Sequence, residues 1–124
     1  MKSVPVLAAA MLALSPAAAL AHPKLVSASP AANAVTGSPA QVTLRFSERL
    51  VPRVASATIT MTGMPGMADH PPMPIAARTA VGTDGRTLVA TPTRRLVAGT
   101  YRVEFRVVGA DTHPTQGAYP FRVR

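Results

Sequence analysis

Apolar and polar residues alternate along several short segments of this chain, and such alternation is typical of β-strands with one buried face. The clearest segment is Tyr101 to Val107, in which aromatic or aliphatic residues occupy every second position and charged residues lie between them. Residues 42–46, 57–61 and 119–123 alternate in the same way. The inward positions of these segments hold all the aromatic residues of the chain, so the segments predict the strands of one buried core.

Turn signals separate these strands and indicate their number. Residues 24–29 predict a short edge strand that ends at a proline, and residues 33–39 are rich in turn-forming residues. Residues 83–86 predict a turn before a strand at residues 87–91, and residues 109–117 predict a loop. We find no convincing amphipathic helix beyond the N-terminal region. About seven short strands with turns about every 8 to 12 residues predict an all-β, single-domain Greek-key barrel or sandwich, immunoglobulin-like or cupredoxin-like.

The N-terminal segment has a different pattern, that of a secretory signal peptide. Lys2 precedes an apolar run at residues 4–14, and residues 19–21 form a small-residue cleavage pattern. A membrane-spanning helix needs about 20 predominantly apolar residues; this run is shorter and is interrupted by proline, and no later stretch is apolar enough to span. We therefore expect residues 1–21 to be removed and residues 22–124 to form one exported domain in a bacterial periplasm.

The cleavage position itself stays open. Cutting after Ala21 makes His22 the first residue, with a free α-amine beside its imidazole. Residues 17–19 form a second plausible cleavage pattern, and cutting there leaves His22 as the third residue. The mass of the mature protein distinguishes the two sites.

The composition limits the possible functions. The chain has 13 Lys and Arg against 5 Asp and Glu, a formal net charge of +8 at pH 7. An exported domain without an arginine-aromatic platform is not expected to bind nucleic acid. An anionic membrane surface or an acidic partner is compatible with the charge, and a solvated basic surface is the more common explanation. The chain has no cysteine, which excludes disulfides and thiolate metal ligands.

Methionine is concentrated in one stretch of the expected domain. Its four methionines and one histidine recur at every third residue, namely Met61, Met64, Met67, His70 and Met73. The glycines and prolines among them disfavour a helix, so the stretch predicts an irregular or polyproline-like loop. Thioethers are soft ligands that suit Cu(I) much better than Zn²⁺, Mg²⁺ or Ca²⁺. The spacing therefore predicts a Cu(I) site, with core filling or a protein-binding methionine cluster as the alternatives.

A second set of donors is predicted around the new chain start. His22 offers amine and imidazole nitrogens, and Pro23 has no N–H with which to extend coordination along the backbone. Residues two apart in an extended chain project to the same side, so Asp111 and His113 can converge on one ion. Amine, imidazole and carboxylate donors suit tetragonal Cu(II). For the Asp-x-His motif alone, the alternative is an aspartate turn beside an exposed histidine.

Together these motifs resemble the periplasmic copper-binding CopC family over nearly all of residues 22–124. The resemblance rests on a histidine after the cleavage position, S-x-S-P-A at residues 27–31, L-R-F-S-E at residues 44–48, the methionine loop, and D-x-H before the last aromatic strand. It implies a small Greek-key β domain that binds Cu(I) through residues drawn from the methionine loop. It also implies a Cu(II) site made by His22, Asp111 and His113.

The resemblance further implies a role for Glu48 and a function for the chain. Glu48 matches a family position near the Cu(II) ion, where it would orient the terminal amine; an exposed strand-end carboxylate is the alternative. The implied function is a periplasmic copper carrier or buffer in copper resistance or homeostasis, without turnover. Such a carrier would exchange copper between its sites as the oxidation state changes and hand it to an inner-membrane copper transporter of the CopD type or another envelope copper protein.

Two other classes of function remain as alternatives. An N-terminal histidine chelate with a second histidine resembles the copper brace of lytic polysaccharide monooxygenases, although here Asp111 would fill a position near the metal. A metal-free immunoglobulin-like module is the third reading. Hydrogen peroxide production by copper-loaded protein would favour the enzyme, and failure to bind copper in either oxidation state would favour the module.

Overall fold

The structure, a computed structural model, describes Ser3, residues 21–67 and residues 71–124. Most of the expected leader, residues 1–21, therefore lies outside the described residues, as does His70. The described residues form nine strands and one 3₁₀ turn at Pro52–Val54. The strands are β1 (Leu25–Ser29), β2 (Val35–Thr36), β3 (Val42–Phe46), β4 (Ser56–Gly63), β5 (Met73–Ile75), β6 (Ala77–Val81), β7 (Thr87–Pro92), β8 (Gly99–Val108) and β9 (Pro114–Val123).

The nine strands form two sheets. One sheet has the order β1-β3-β7-β6 and the other the order β2-β9-β8-β4-β5. The pairing of β2 with β9 is parallel, and the other strand pairings are antiparallel. Most neighbours in space are not neighbours in sequence, so the chain crosses repeatedly from one sheet to the other. The predicted all-β sandwich is thereby confirmed. In the part of the chain that the structure describes, no helix is long and apolar enough to cross a membrane.

The core lies between the inward faces of the two sheets. Along β8, the four apolar positions from Tyr101 to Val107 are buried and the three charged positions between them are exposed, as the alternation predicts. The Tyr101 ring stacks on Phe121 with 5.4 Å between ring centroids, and Phe46 meets Phe105 edge to face at 5.3 Å. All the aromatic side chains of the chain are buried, so the prediction of their inward faces is confirmed.

Three strands are missing from the sequence-based description. β2 has only two residues, and β5 and β6 lie in a stretch where the burial pattern does not alternate cleanly. Their apolar pattern is weak because each lies at the edge of a sheet, where only part of one face is covered. The expectation of about seven strands was therefore too low.

The predicted loop at residues 109–117 is also shorter than expected, because β9 already begins at Pro114. The added strand residues pair with the end of β8, and Gly117 lies opposite Phe105. A Cβ atom at position 117 would come within 2.4 Å of the Phe105 ring. Glycine is thus required here by packing, although in the sequence it reads as a turn residue.

Replacing Gly117 with alanine is expected to lower the free energy of unfolding by about 1–3 kcal/mol, the usual range for overpacking. Phe105 would have to shift away from the added methyl group and lose its contact with Phe46. Urea unfolding measures the loss. Gly37→Ala is the matched control, because a Cβ atom at that exposed position meets nothing within 4 Å. An equal effect of both changes would contradict the packing argument.

Candidate metal centres

Residues 23 and 24 are fixed to the end of the sandwich by hydrogen bonds and packing. Lys24 N donates a hydrogen bond to Ser47 Oγ (2.9 Å), and Ser47 N donates to the Lys24 carbonyl (2.8 Å). Pro23 is fully buried against Gly109, where a Cβ atom would lie 2.8 Å from Pro23 Cγ. These contacts of Pro23 and Lys24 hold the adjacent His22 in position, while the His22 side chain itself is 62% exposed.

A tight turn after β8 supplies the facing residues. Thr112 N donates to the Gly109 carbonyl (3.1 Å), and Thr112 itself has a φ of 65°, in the left-handed region. Asp111 Oδ1 accepts a hydrogen bond from His113 N (3.3 Å). The aspartate turn that sequence offers as an alternative is therefore present. It uses only one carboxylate oxygen, and the other remains available for a ligand.

His22, Asp111 and His113 meet at this end of the molecule. One donor atom from each lies within 4.8 Å of the other two. The two imidazole rings are 5.7 Å apart between centroids and inclined at 73°. His22 Nδ1 touches Asp111 Oδ2. The sequence-predicted set is thus brought together from residues near the start of the domain and from the loop before β9.

The second oxygen of Asp111 indicates what this cluster can hold. The Asp111 side chain is 7% exposed, and its Oδ2 atom is buried. Oδ2 is in ion-pair contact with His22 Nδ1 and accepts a hydrogen bond from no described residue. Burying a carboxylate that has so few partners is costly. A cation bound between the carboxylate and the two imidazoles would satisfy it, and this donor set suits divalent copper.

Sequence reasoning did not identify the residues that position the chain start. Ser47 lies within the L-R-F-S-E segment, but its hydrogen bonds with Lys24 are evident only in the fold. In the sequence Gly109 is typical of a loop, and only the fold shows that it makes room for the Pro23 ring. Glu48 is half-buried in the bend after β3 and is not a member of the three-residue cluster. Its role toward the terminal amine stays a prediction.

The two ends of the methionine stretch are paired strands, and its described middle part, residues 64–67, is a turn. Met61 lies in β4 and Met73 lies opposite it in β5, so the two ends of the predicted loop are strands. At the tip, Met67 N donates to the Met64 carbonyl (2.9 Å), and Gly66 has a φ of 77°. The exposed fractions of the four residues differ: they are 4% for Met61, 37% for Met64, 56% for Met67 and 49% for Met73.

Three thioethers of the hairpin are therefore accessible, and one lies in the core. Met61 and Met73 line a pocket of about 570 Å³ together with Tyr101, whose hydroxyl donates to the Val97 carbonyl (2.6 Å). Because directly opposed residues of an antiparallel pair share a face of the sheet, Met61 and Met73 lie side by side. His70 lies outside the described residues, and its relation to the thioethers stays a prediction.

The two donor sets lie at opposite ends of β8. Gly63, just before the hairpin tip, pairs with Thr100, whereas Asp111 follows the other end of the strand. Ten residues of β-strand span about 30 Å at roughly 3.3 Å per residue. One ion in one molecule therefore cannot touch both sets.

Comparison with known proteins identifies relatives over most of the chain. The family model described as CopC domain matches residues 25–124. Copper resistance protein C from Xanthomonas campestris pv. juglandis is 49% identical over 111 residues, covering 90% of this chain and 87% of the relative. Copper resistance protein C from Escherichia coli is 47% identical over 106 residues, covering 86% of this chain and 84% of the relative.

Solved structures are similar in both sequence and fold. The crystal structure of PcoC, a methionine rich copper resistance protein from Escherichia coli, is 45% identical and has a TM-score of 0.77, covering 84% of this chain and 100% of that one. CopC from Methylosinus trichosporium OB3b is 31% identical with a TM-score of 0.70, covering 82% and 93%. The sandwich is thus shared with both proteins.

A substitution at Gly109, against which Pro23 packs, tests how His22 is positioned without removing any proposed ligand. Gly109→Ala is expected to displace Pro23, loosen His22 and weaken Cu(II) binding by about 10- to 100-fold, the usual effect of disturbing groups that orient a metal ligand. Isothermal titration of the processed protein with Cu(II) in a competing buffer measures the affinity. Gly82→Ala is the matched control, because its Cβ would make only ordinary contacts. Unchanged Cu(II) affinity in a folded Gly109→Ala protein would show that the packing of Pro23 against Gly109 does not order His22.

Proposed function

The chain belongs to the CopC family, and on this premise we propose that it is a copper-binding carrier of the bacterial periplasm that acts in copper resistance. The observation that carries the proposal is the cluster of His22, Asp111 and His113, in which a buried carboxylate oxygen lies beside two imidazoles. The relatives support the choice of metal, because their names describe copper resistance proteins and one is described as methionine rich. The signal-peptide pattern at the N-terminus supports export.

Cu(II) is the cargo of the three-residue cluster. Imidazole nitrogens and a carboxylate oxygen suit this ion, and cleavage after Ala21 would add the α-amine of His22. Burial of the Asp111 carboxylate strengthens its attraction to the ion, because the local dielectric constant is lower than that of water. The seated Pro23 keeps His22 near its partners, so less ordering is needed when the ion binds. We assign Glu48 a positioning role toward the amine.

Cu(I) is the cargo of the methionine hairpin. The exposed thioethers and the histidine within the hairpin are soft or intermediate donors that suit this ion. The spacing places Met61 among the predicted ligands, but its burial in the core favours a packing role instead. We therefore propose that the Cu(I) ligands are drawn from Met64, Met67, Met73 and His70.

The distance between the two donor sets determines how copper can be exchanged. Oxidation weakens thioether binding and favours nitrogen and oxygen donors, and reduction has the opposite effect. Because about 30 Å separates the sets, an ion released by one must diffuse or pass through another molecule to reach the other. That arrangement suits delivery to a partner, and we assign the partner as an inner-membrane copper transporter of the CopD type or another envelope copper protein.

Titration of variants in both oxidation states tests the ligand assignment. Met64→Leu/Met67→Leu is expected to weaken anaerobic Cu(I) binding by about 100-fold and to leave Cu(II) binding unchanged, whereas His113→Ala should have the opposite pattern. Met61→Leu is the matched control for the methionine variant, because it replaces a buried thioether with a side chain of similar volume. Loss of both sites in either variant, or failure of the processed protein to bind copper, would contradict the proposal.

A carrier should not activate oxygen at the cluster. With ascorbate, the copper-loaded protein is expected to make hydrogen peroxide more slowly than Asp111→Ala, because removal of the carboxylate opens a coordination position to dioxygen. Amplex-type peroxide assays compare the two proteins at equal copper loading. Glu104→Ala, which removes an exposed carboxylate elsewhere on β8, is the control. Release of oxidised sugars from chitin or cellulose by the wild-type protein would instead establish the monooxygenase alternative.

A further inference from the structure

The outer edge of β9 is only partly covered, because the short strand β2 pairs with its C-terminal part alone. Arg122 N donates to the Ala34 carbonyl (2.8 Å), so the C-terminal part of β9 is paired beyond β8. In an antiparallel strand, residues that direct their backbone groups to the same side recur at every second position. Gln116 and Ala118 therefore direct their N–H and C=O groups away from β8. Within the described ranges, no backbone group pairs with them on that side.

An apolar cleft of about 320 Å³ lies beside this free edge, between β9 and β1. Leu25 and Val26 of β1 line it and are 36% and 63% exposed. Tyr119 lines the cleft from β9, is 6% exposed, and has a hydroxyl without a hydrogen-bond partner among the described residues. Burial raises the pKa of Tyr119 to about 12, so this hydroxyl keeps its proton as a donor. An unpaired buried hydroxyl is costly, and an acceptor on a ligand would remove that cost.

The outer face of the sheet is basic next to the same edge. A depression of about 520 Å³ extends from Arg102 and Arg106 of β8 to Ala118 of β9. Arg102 pairs with Glu104 (2.8 Å), whereas Arg106 makes no ion pair or side-chain hydrogen bond with any described residue. Arg106 lies opposite Gln116, one strand in from the free edge, and its long side chain can extend over the outer face of β9.

We infer that the free edge of β9 is a docking site for an extended segment of a partner protein in which apolar and acidic residues alternate. An added strand would form main-chain hydrogen bonds with Gln116 and Ala118. Its side chains would alternate between the two faces of the sheet. One set would enter the apolar cleft beside Tyr119, and the other would lie on the basic face within reach of Arg106. The docking site uses none of the proposed copper ligands.

Charge favours such a partner over a second copy of this chain. The chain carries a formal net charge of +8, and two copies joined edge to edge would bring two Arg106 side chains onto one continuous face. Positive charge on both copies opposes their association, most strongly at low salt. An acidic side chain of a partner would instead neutralise Arg106, and the attraction would also speed encounter at low salt.

A short synthetic peptide provides the test. The probe is an N-acetylated, C-amidated hexapeptide of alternating valine and glutamate, and the matched control replaces glutamate with lysine. Titration into the processed, copper-free protein is followed by ¹H–¹⁵N chemical shifts, with saturable shifts expected at Gln116, Ala118 and Tyr119. The lysine peptide is expected to bind about tenfold or more weakly than the glutamate peptide, because it places like charges beside Arg106.

Three variants separate the parts of the site. Ala118→Pro removes an N–H that faces away from β8, so the existing ladder is kept while glutamate-peptide binding falls by about tenfold. Tyr119→Phe removes the unpaired hydroxyl and is expected to weaken binding without lowering stability, which keeps the test valid if the proline variant misfolds. Arg106→Gln is expected to weaken binding by about threefold in low salt. Arg78→Gln, on the other sheet, is its matched control and should have no effect.

Three outcomes would overturn the inference. The first is the absence of saturable shifts at Gln116 and Ala118 at millimolar peptide. The second is equal binding of the glutamate and lysine peptides. The third is sedimentation of the protein as a dimer that Ala118→Pro converts to a monomer, because the edge would then be occupied by a second copy. Copper titration of the same variants should be normal, so failure of this inference is distinguishable from failure of the copper proposal.

Discussion

The pairing of β8 with both β4 and β9 is the constraint on which the rest of the molecule depends. Every second side chain of β8 is buried, so a shift of one residue in either pairing would turn its charged side chains into the core. With that register fixed, Gly63 must lie at one end of the strand and Asp111 just beyond the other. The length of β8 therefore sets the distance between the thioether donors and the nitrogen and oxygen donors.

The end of β8 also explains how a chain terminus can serve as a metal ligand. Terminal residues usually fray unless packing or hydrogen bonding holds them. Here Pro23 packs against Gly109, and Ser47 holds Lys24 by two hydrogen bonds. These contacts use backbone groups, the Ser47 hydroxyl and the proline ring, so they occupy no donor atom of His22. The position of the ligand is thus fixed by groups that take no part in coordination.

The copper donors lie at the two ends of the sandwich, and the proposed docking edge lies along its side. The open edge of a sheet is usually a liability, because its unpaired backbone groups can recruit other strands. In this molecule the edge is bordered by an apolar cleft on one face and by Arg106 on the other. That combination restricts the strands it can accept.

The sequence by itself determined the fold class, the aromatic core and the donor types, because period-two burial and ligand softness are properties of local composition. It could not determine β5 and β6, which exist through pairing at a sheet edge, or the entry of Met61 into the core. Only the tertiary structure brought His22 to Asp111, because the two are distant in sequence. They meet because Pro23, next to His22, packs against Gly109, near Asp111. Residue type is thus readable along the chain, whereas proximity between distant segments depends on how the strands pair.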